Sequence, residues 1–124
     1  FKQELNENGK CYSKIEFLPE AGHNDIMGWE EDEEILKNIA VIFLRDKDEN
    51  EKMKRRIEVM KEIIKIKGSR IIEINALGSS SLSKIFSTIY LGDLISVEMA
   101  NLKGIDARRV ESIMKLKEKL YETS

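Results

Sequence analysis

Two apolar runs separated by an amphipathic one occupy the middle of the chain, and this succession constrains the fold more than any other feature. Asn38-Ile39-Ala40-Val41-Ile42-Phe43-Leu44 is apolar at every position after the first, as in a strand buried on both faces. A polar turn, Arg45–Asn50, follows, and Asp48 and Glu51 are spaced as in a capping box. Met53, Ile57, Met60 and Ile64 then recur at helical spacing, while Lys52, Lys54, Arg55, Arg56, Lys61 and Glu62 fall on the other faces. Gly68-Ser69 ends that helix, and Arg70–Ala76 reads as a second strand. A helix crossing between two neighbouring strands makes them parallel, so the fold class is α/β.

The flanking segments carry weaker signals. Phe1 and Leu5, at i and i+4, read as the last turns of a helix ending in Asn6–Gly9, with Gly9 as a left-handed cap. Ile15 and Phe17 alternate weakly, so Ser13–Leu18 reads as a short strand or an extended entry to the next segment. Pro19 suits the first turn of a helix entered from an extended Leu18. Glu30–Glu34 is a solvated acidic run. Gly78-Ser79-Ser80-Ser81 opens a long helix, Leu82–Ala100, with Gly92 inside it. That helix is apolar on most faces, so the sheet and something else must cover it, which points to a subunit or domain interface. Gly104 closes it, Asp106 is placed to cap a last helix, and Val110, Ile113, Leu116/Lys117 and Leu120 form that helix's inner face.

Composition excludes several classes. At 124 residues the chain suits one domain rather than two. With 21 basic against 23 acidic side chains it has no nucleic-acid footprint. Lys84, Asp93 and Glu98 interrupt the most apolar stretch, so no membrane span is expected. Cys11 has no cysteine to pair with, which points to a reducing compartment, the cytoplasm. The opening Phe1-Lys2-Gln3-Glu4 lacks the apolar core of a signal peptide and suggests a fragment.

Four chemistries are open to these residues. The serine run at Gly78 stands where backbone N–H groups favour an anion, but it serves equally as an N-cap and has no P-loop lysine. One His and one Cys without paired ligands make no structural metal site. No nucleophile elbow is present. A carboxylate–imidazole pair remains: Glu7 lies in the turn before the first extended segment and His23, the one histidine, in the turn after it.

Leu5-Asn6-Glu7-Asn8-Gly9-Lys10 and Leu18-Pro19-Glu20-Ala21-Gly22-His23-Asn24-Asp25-Ile26-Met27-Gly28-Trp29 together resemble the signature pair of the bifunctional phosphoglucose/phosphomannose isomerases. Leu44-Arg45-Asp46-Lys47-Asp48 and Ile89-Tyr90-Leu91-Gly92-Asp93 fit the same family, in order along essentially the whole chain. The resemblance covers the second of two sugar-isomerase (SIS) domains, so residues 1–124 are expected to form a C-terminal SIS domain of a longer protein. It implies an αβα sandwich with a parallel, flavodoxin-like sheet whose first strand lies upstream of Phe1. The domain would then be truncated at its N-terminus.

The activity implied is isomerisation of glucose or mannose 6-phosphate to fructose 6-phosphate through a cis-enediol, without metal or organic cofactor, in glycolysis and gluconeogenesis. By resemblance, Glu7 takes the place of the base that moves the proton between C1 and C2. His23 takes that of the residue assisting ring opening, and reaches the site from the partner subunit of a homodimer. The phosphate-binding Ser/Thr loop belongs to the N-terminal SIS domain, and a lysine of the last helix completes the set. At about 100° per residue, Lys117 falls near the Val110, Ile113 and Leu120 face, so it is the choice, with Lys115 as the fallback and stem packing of a solvated ammonium as the bland alternative. Asp93 is given a structural role. Gly9 and Gly22 stand where the family more often has Ala and Asn, and Asp106–Val110 stands where prolines and a threonine are expected. The fragment is expected to be inactive by itself. A non-catalytic SIS module that binds a sugar phosphate, or a purely structural dimerisation domain, are the rival classes.

Overall fold

The computed structural model describes residues 1–122. In chain order the elements are α1 (Lys2–Glu7), 3₁₀ turns at Glu20–Gly22 and Asp25–Glu30, α2 (Glu33–Leu36), β1 (Ala40–Arg45), α3 (Glu51–Ile66), β2 (Arg70–Asn75), α4 (Ser81–Leu102) and α5 (Glu111–Tyr121). They divide into a central unit, Ile15–Ile85, and a terminal unit made of Phe1–Lys14 and the chain from Phe86 onward.

The central unit is built on the expected strand–helix–strand succession. β1 and β2 pair in parallel, from Ala40 opposite Arg70 to Arg45 opposite Asn75, with α3 as the crossover. The fold is therefore α/β with a parallel sheet, as the apolar pattern requires. Phe43, Ile57, Met60 and Ile64 form the buried core, and Leu18, Ile26, Trp29, Val41, Met53 and Ile71 pack against it. Ile64 is 1% exposed, and burying a side chain of that size contributes roughly 2 kcal/mol. Gly68 ends α3 with a φ of +79°, a left-handed position that glycine fills without a Cβ clash.

Two expectations for this unit are corrected. β1 is not buried on both faces: Val41 and Phe43 point toward α3, whereas Leu44 on the alternate face is largely exposed, as is Ile72 of β2. With α3 on one side, the pleat puts Ile42, Leu44, Ile72 and Ile74 on the other, where Ile42 and Ile74 are only half-buried. Nor does Asp48 cap α3. Asn50 does, its Oδ1 accepting from the Met53 N–H at 2.9 Å, because the Asp48 carboxylate is engaged by Lys84.

In the terminal unit, the start of the chain lies against α4 at Gly92, where a Cβ would come within 3.0 Å of Phe1 Cδ2 and 3.1 Å of its Cα. Gly104, at φ +66°, ends α4. Of the short strand or extended entry expected over Ser13–Leu18, the strand does not form. Ser13 instead donates its N–H to Asn6 Oδ1 at 3.0 Å, and its carbonyl accepts from Asn6 Nδ2 at 3.1 Å, so a side-chain amide takes the part of a neighbouring strand. Gly9 is not a left-handed cap; the positive φ, 46°, falls at Lys10. Asp106 does not cap the last helix: it accepts the Arg108 N–H at 2.9 Å in an Asx turn, and α5 begins five residues later. The predicted inner face of α5 is not buried either, with Leu116 63% and Leu120 62% exposed. Its apolar stripe meets no facing layer among the described residues. α4 likewise presents Phe86 and Tyr90 at 60% and 65% exposure. No helix among the described residues is long and apolar enough to cross a membrane.

Candidate functional site

The first motif, Leu5–Lys10, is a turn in which almost every residue is engaged with the protein. Leu5 is buried. Asn6 clasps Ser13 and also donates to the Lys2 carbonyl at 3.0 Å. Asn8 Nδ2 donates to Glu4 Oε2 and to Ser96 Oγ, both at 3.0 Å. Gly9 leaves no room for a side chain, since a Cβ would lie 2.9 Å from the Leu5 carbonyl oxygen and 3.4 Å from that of Ser96. Lys10 Nζ donates to the Glu7 carbonyl and, at 3.2 Å, to that of Ala107. Lys103 Nζ donates to the carbonyls of Gly9 at 2.8 Å and Lys10 at 3.3 Å. The exception is the Glu7 side chain. It closes α1 with its carboxylate exposed and joined to no hydrogen bond or ion pair among the described residues. These bonds tie down the motif's backbone from several sides and leave the Glu7 carboxylate as its uncommitted acceptor among the described residues.

The second motif, in the central unit, is held by apolar contacts instead. The Leu18–Pro19 peptide is cis, and Pro19 precedes a 3₁₀ turn rather than opening an α-helix. Ala21 is buried, while Leu18, Ile26 and Trp29 dock on the core of Phe43, Ile57, Met60 and Ile64. Gly22 packs under α3, where a Cβ would meet Arg56 Nη1 at 3.2 Å and Met60 Sδ at 3.6 Å. His23 follows, its N–H donating to the Glu20 carbonyl at 2.8 Å, and its ring stands exposed between the buried Ala21 and the half-buried Ile26.

Lys117 lies on α5 in the terminal unit, exposed and paired with no carboxylate among the described residues. Lys115, the fallback, lines a shallow open depression along the same helix with Glu111, Met114 and Glu118. Glu7 and Lys117 thus share a unit, no ion pair joining them among the described residues, and His23 belongs to the other unit. Of the serine run, Ser80 is committed to local structure: it and Ser83 cap each other reciprocally, Ser80 N–H to Ser83 Oγ at 3.0 Å and Ser83 N–H to Ser80 Oγ at 3.2 Å. Among the described residues no group of three or more His, Cys, Asp and Glu side chains is placed to hold a metal ion.

Two charged clusters escaped the reading of the sequence. Lys84, in the first turns of α4, is 8% exposed, with Nζ 2.6 Å from Asp46 Oδ1 and also bonded to Asp48. Its two carboxylate partners raise its pKa. The Asp46 carboxyl is held below its usual range by the Asp48 N–H and then by Lys84. The signal was available: a lysine inside an apolar helix, and two aspartates directly after a strand. The second cluster joins β1, α3 and β2. Arg45 pairs with Glu49 at 2.7 Å and Glu73 at 2.5 Å, and Lys61 pairs with Glu73 at 2.5 Å and Glu58 at 3.0 Å. Arg45 lowers the Glu49 pKa against the opposing effect of burial, and Lys61 followed by Arg45 lowers that of Glu73.

The model of the bacterial phospho-glucose isomerase C-terminal SIS domain matches residues 1–120. The chain belongs to that family. Within it, the chain is 34% identical over 122 residues to a bifunctional phosphoglucose/phosphomannose isomerase of Caldicellulosiruptor bescii, covering 98% of the chain and 36% of the relative. Proteins of the same description from Aquifex aeolicus and Thermoplasma acidophilum are 31% and 29% identical over 120 residues, each covering 97% of the chain and 37% of the relative. This SIS domain sequence thus spans little more than a third of the length of the curated relatives it matches. No solved structure matches it significantly.

Proposed function

We propose that this SIS domain, residues 1–124, is the C-terminal catalytic half of a longer isomerase that interconverts glucose or mannose 6-phosphate with fructose 6-phosphate through a cis-enediol. The family match over residues 1–120 carries the reading. The arrangement of the Leu5–Lys10 turn supports the role of Glu7: a base that takes a proton from one carbon and returns it to its neighbour needs a fixed backbone and an uncommitted carboxylate. His23 acts in ring opening, contributed across a homodimer. Lys117 supplies positive charge to the enediolate, which suits an ammonium not already neutralised by a carboxylate. The N-terminal SIS domain of the longer chain holds the phosphate, and the enzyme works in the cytoplasm, in glycolysis and gluconeogenesis, without a cofactor. The isolated 124-residue chain is inactive on this reading, because the reading assigns phosphate binding to the N-terminal SIS domain.

The test is a coupled isomerase assay with fructose 6-phosphate on the longer polypeptide, comparing wild type with Glu7→Gln. Turnover to both aldose phosphates that collapses in a folded Glu7→Gln variant supports the proposal. Unchanged turnover removes Glu7 from the mechanism, and no turnover in wild type leaves a sugar-phosphate-binding module.

A further inference from the structure

We draw no further inference here: the strongest candidate, the exposed apolar face that Phe86, Ile89, Tyr90, Leu94 and Val97 form on α4, together with the uncovered apolar residues of α5, carries nothing, because nothing in the structure shows what covers it.

Discussion

The turns that carry Glu7 and His23 present an exposed polar side chain by opposite means. The Glu7 turn is fastened by polar side chains, Asn6, Asn8, Lys10 and Lys103, each bonded to a backbone or side-chain oxygen. The His23 turn is fastened by burial of Leu18, Ala21, Ile26 and Trp29. Directional bonds fix orientation and resist small displacements, whereas apolar docking fixes position and tolerates rotation. On the proposed roles, a base that must face one carbon and then its neighbour suits the first. A side chain that approaches a ring oxygen needs less.

The comparison can be broken in graded ways. The largest effect expected is on turnover. Glu7→Gln in the longer polypeptide should cost on the order of 10²–10⁴-fold in kcat, the usual worth of a positioned base, with the thermal midpoint unmoved. Ile64→Ala should loosen the floor beneath the His23 turn and cost about 3 kcal/mol in denaturant unfolding, since it empties a 1%-exposed site. A cost under about 1 kcal/mol would mean that the turn does not depend on that core. Asn6→Ala should cost about 1–2 kcal/mol, because Ser13 loses both of its backbone partners. It should speed amide exchange at Ser13 while exchange at His23 stays unchanged; equal acceleration at both would erase the distinction between the turns.

The smallest effect is set by pH. Glu49 and Glu73 bind protons more weakly in the folded chain than in the unfolded one. Their stabilisation is therefore complete above the ordinary glutamate pKa of about 4.3 and is lost as the pH falls from there through their lower folded values. Melting wild type and Arg45→Met between pH 7 and pH 3 should give two curves that converge on the acid side. Parallel curves would show that Arg45 contributes no pH-dependent stability through these carboxylates.

What was legible in the sequence is what periodicity controls. β1, α3 and β2 stand within two residues of their expected limits, because alternation and helical spacing report directly on which side chains the core removes from water. The errors lie where one contact decides. Asn50 displaced Asp48 as the cap because Lys84, far along the chain, takes the aspartate. Asn6 satisfied Ser13 in place of a strand. At Gly9 the reason for glycine is close packing and not a left-handed turn. The apolar spacing on α5 described a face without saying what faces it. Glu7 and His23 stand out by motif and Lys117 by its place on the helix, and no periodicity distinguishes Glu7 from Glu4 as the carboxylate without a bonding partner.

Lys84 also makes the chain its own reporter. An amine reacts with acylating reagents only when deprotonated and reachable, and here it is neither: Asp46 and Asp48 hold its proton, and it is 8% exposed. Brief treatment with an acetylating reagent should therefore mark the exposed Lys115 and Lys117 quickly and leave Lys84 unmodified. Slow appearance of label at residue 84 would then report the small fraction of molecules in which the segment after β1 has lifted away from the first turns of α4.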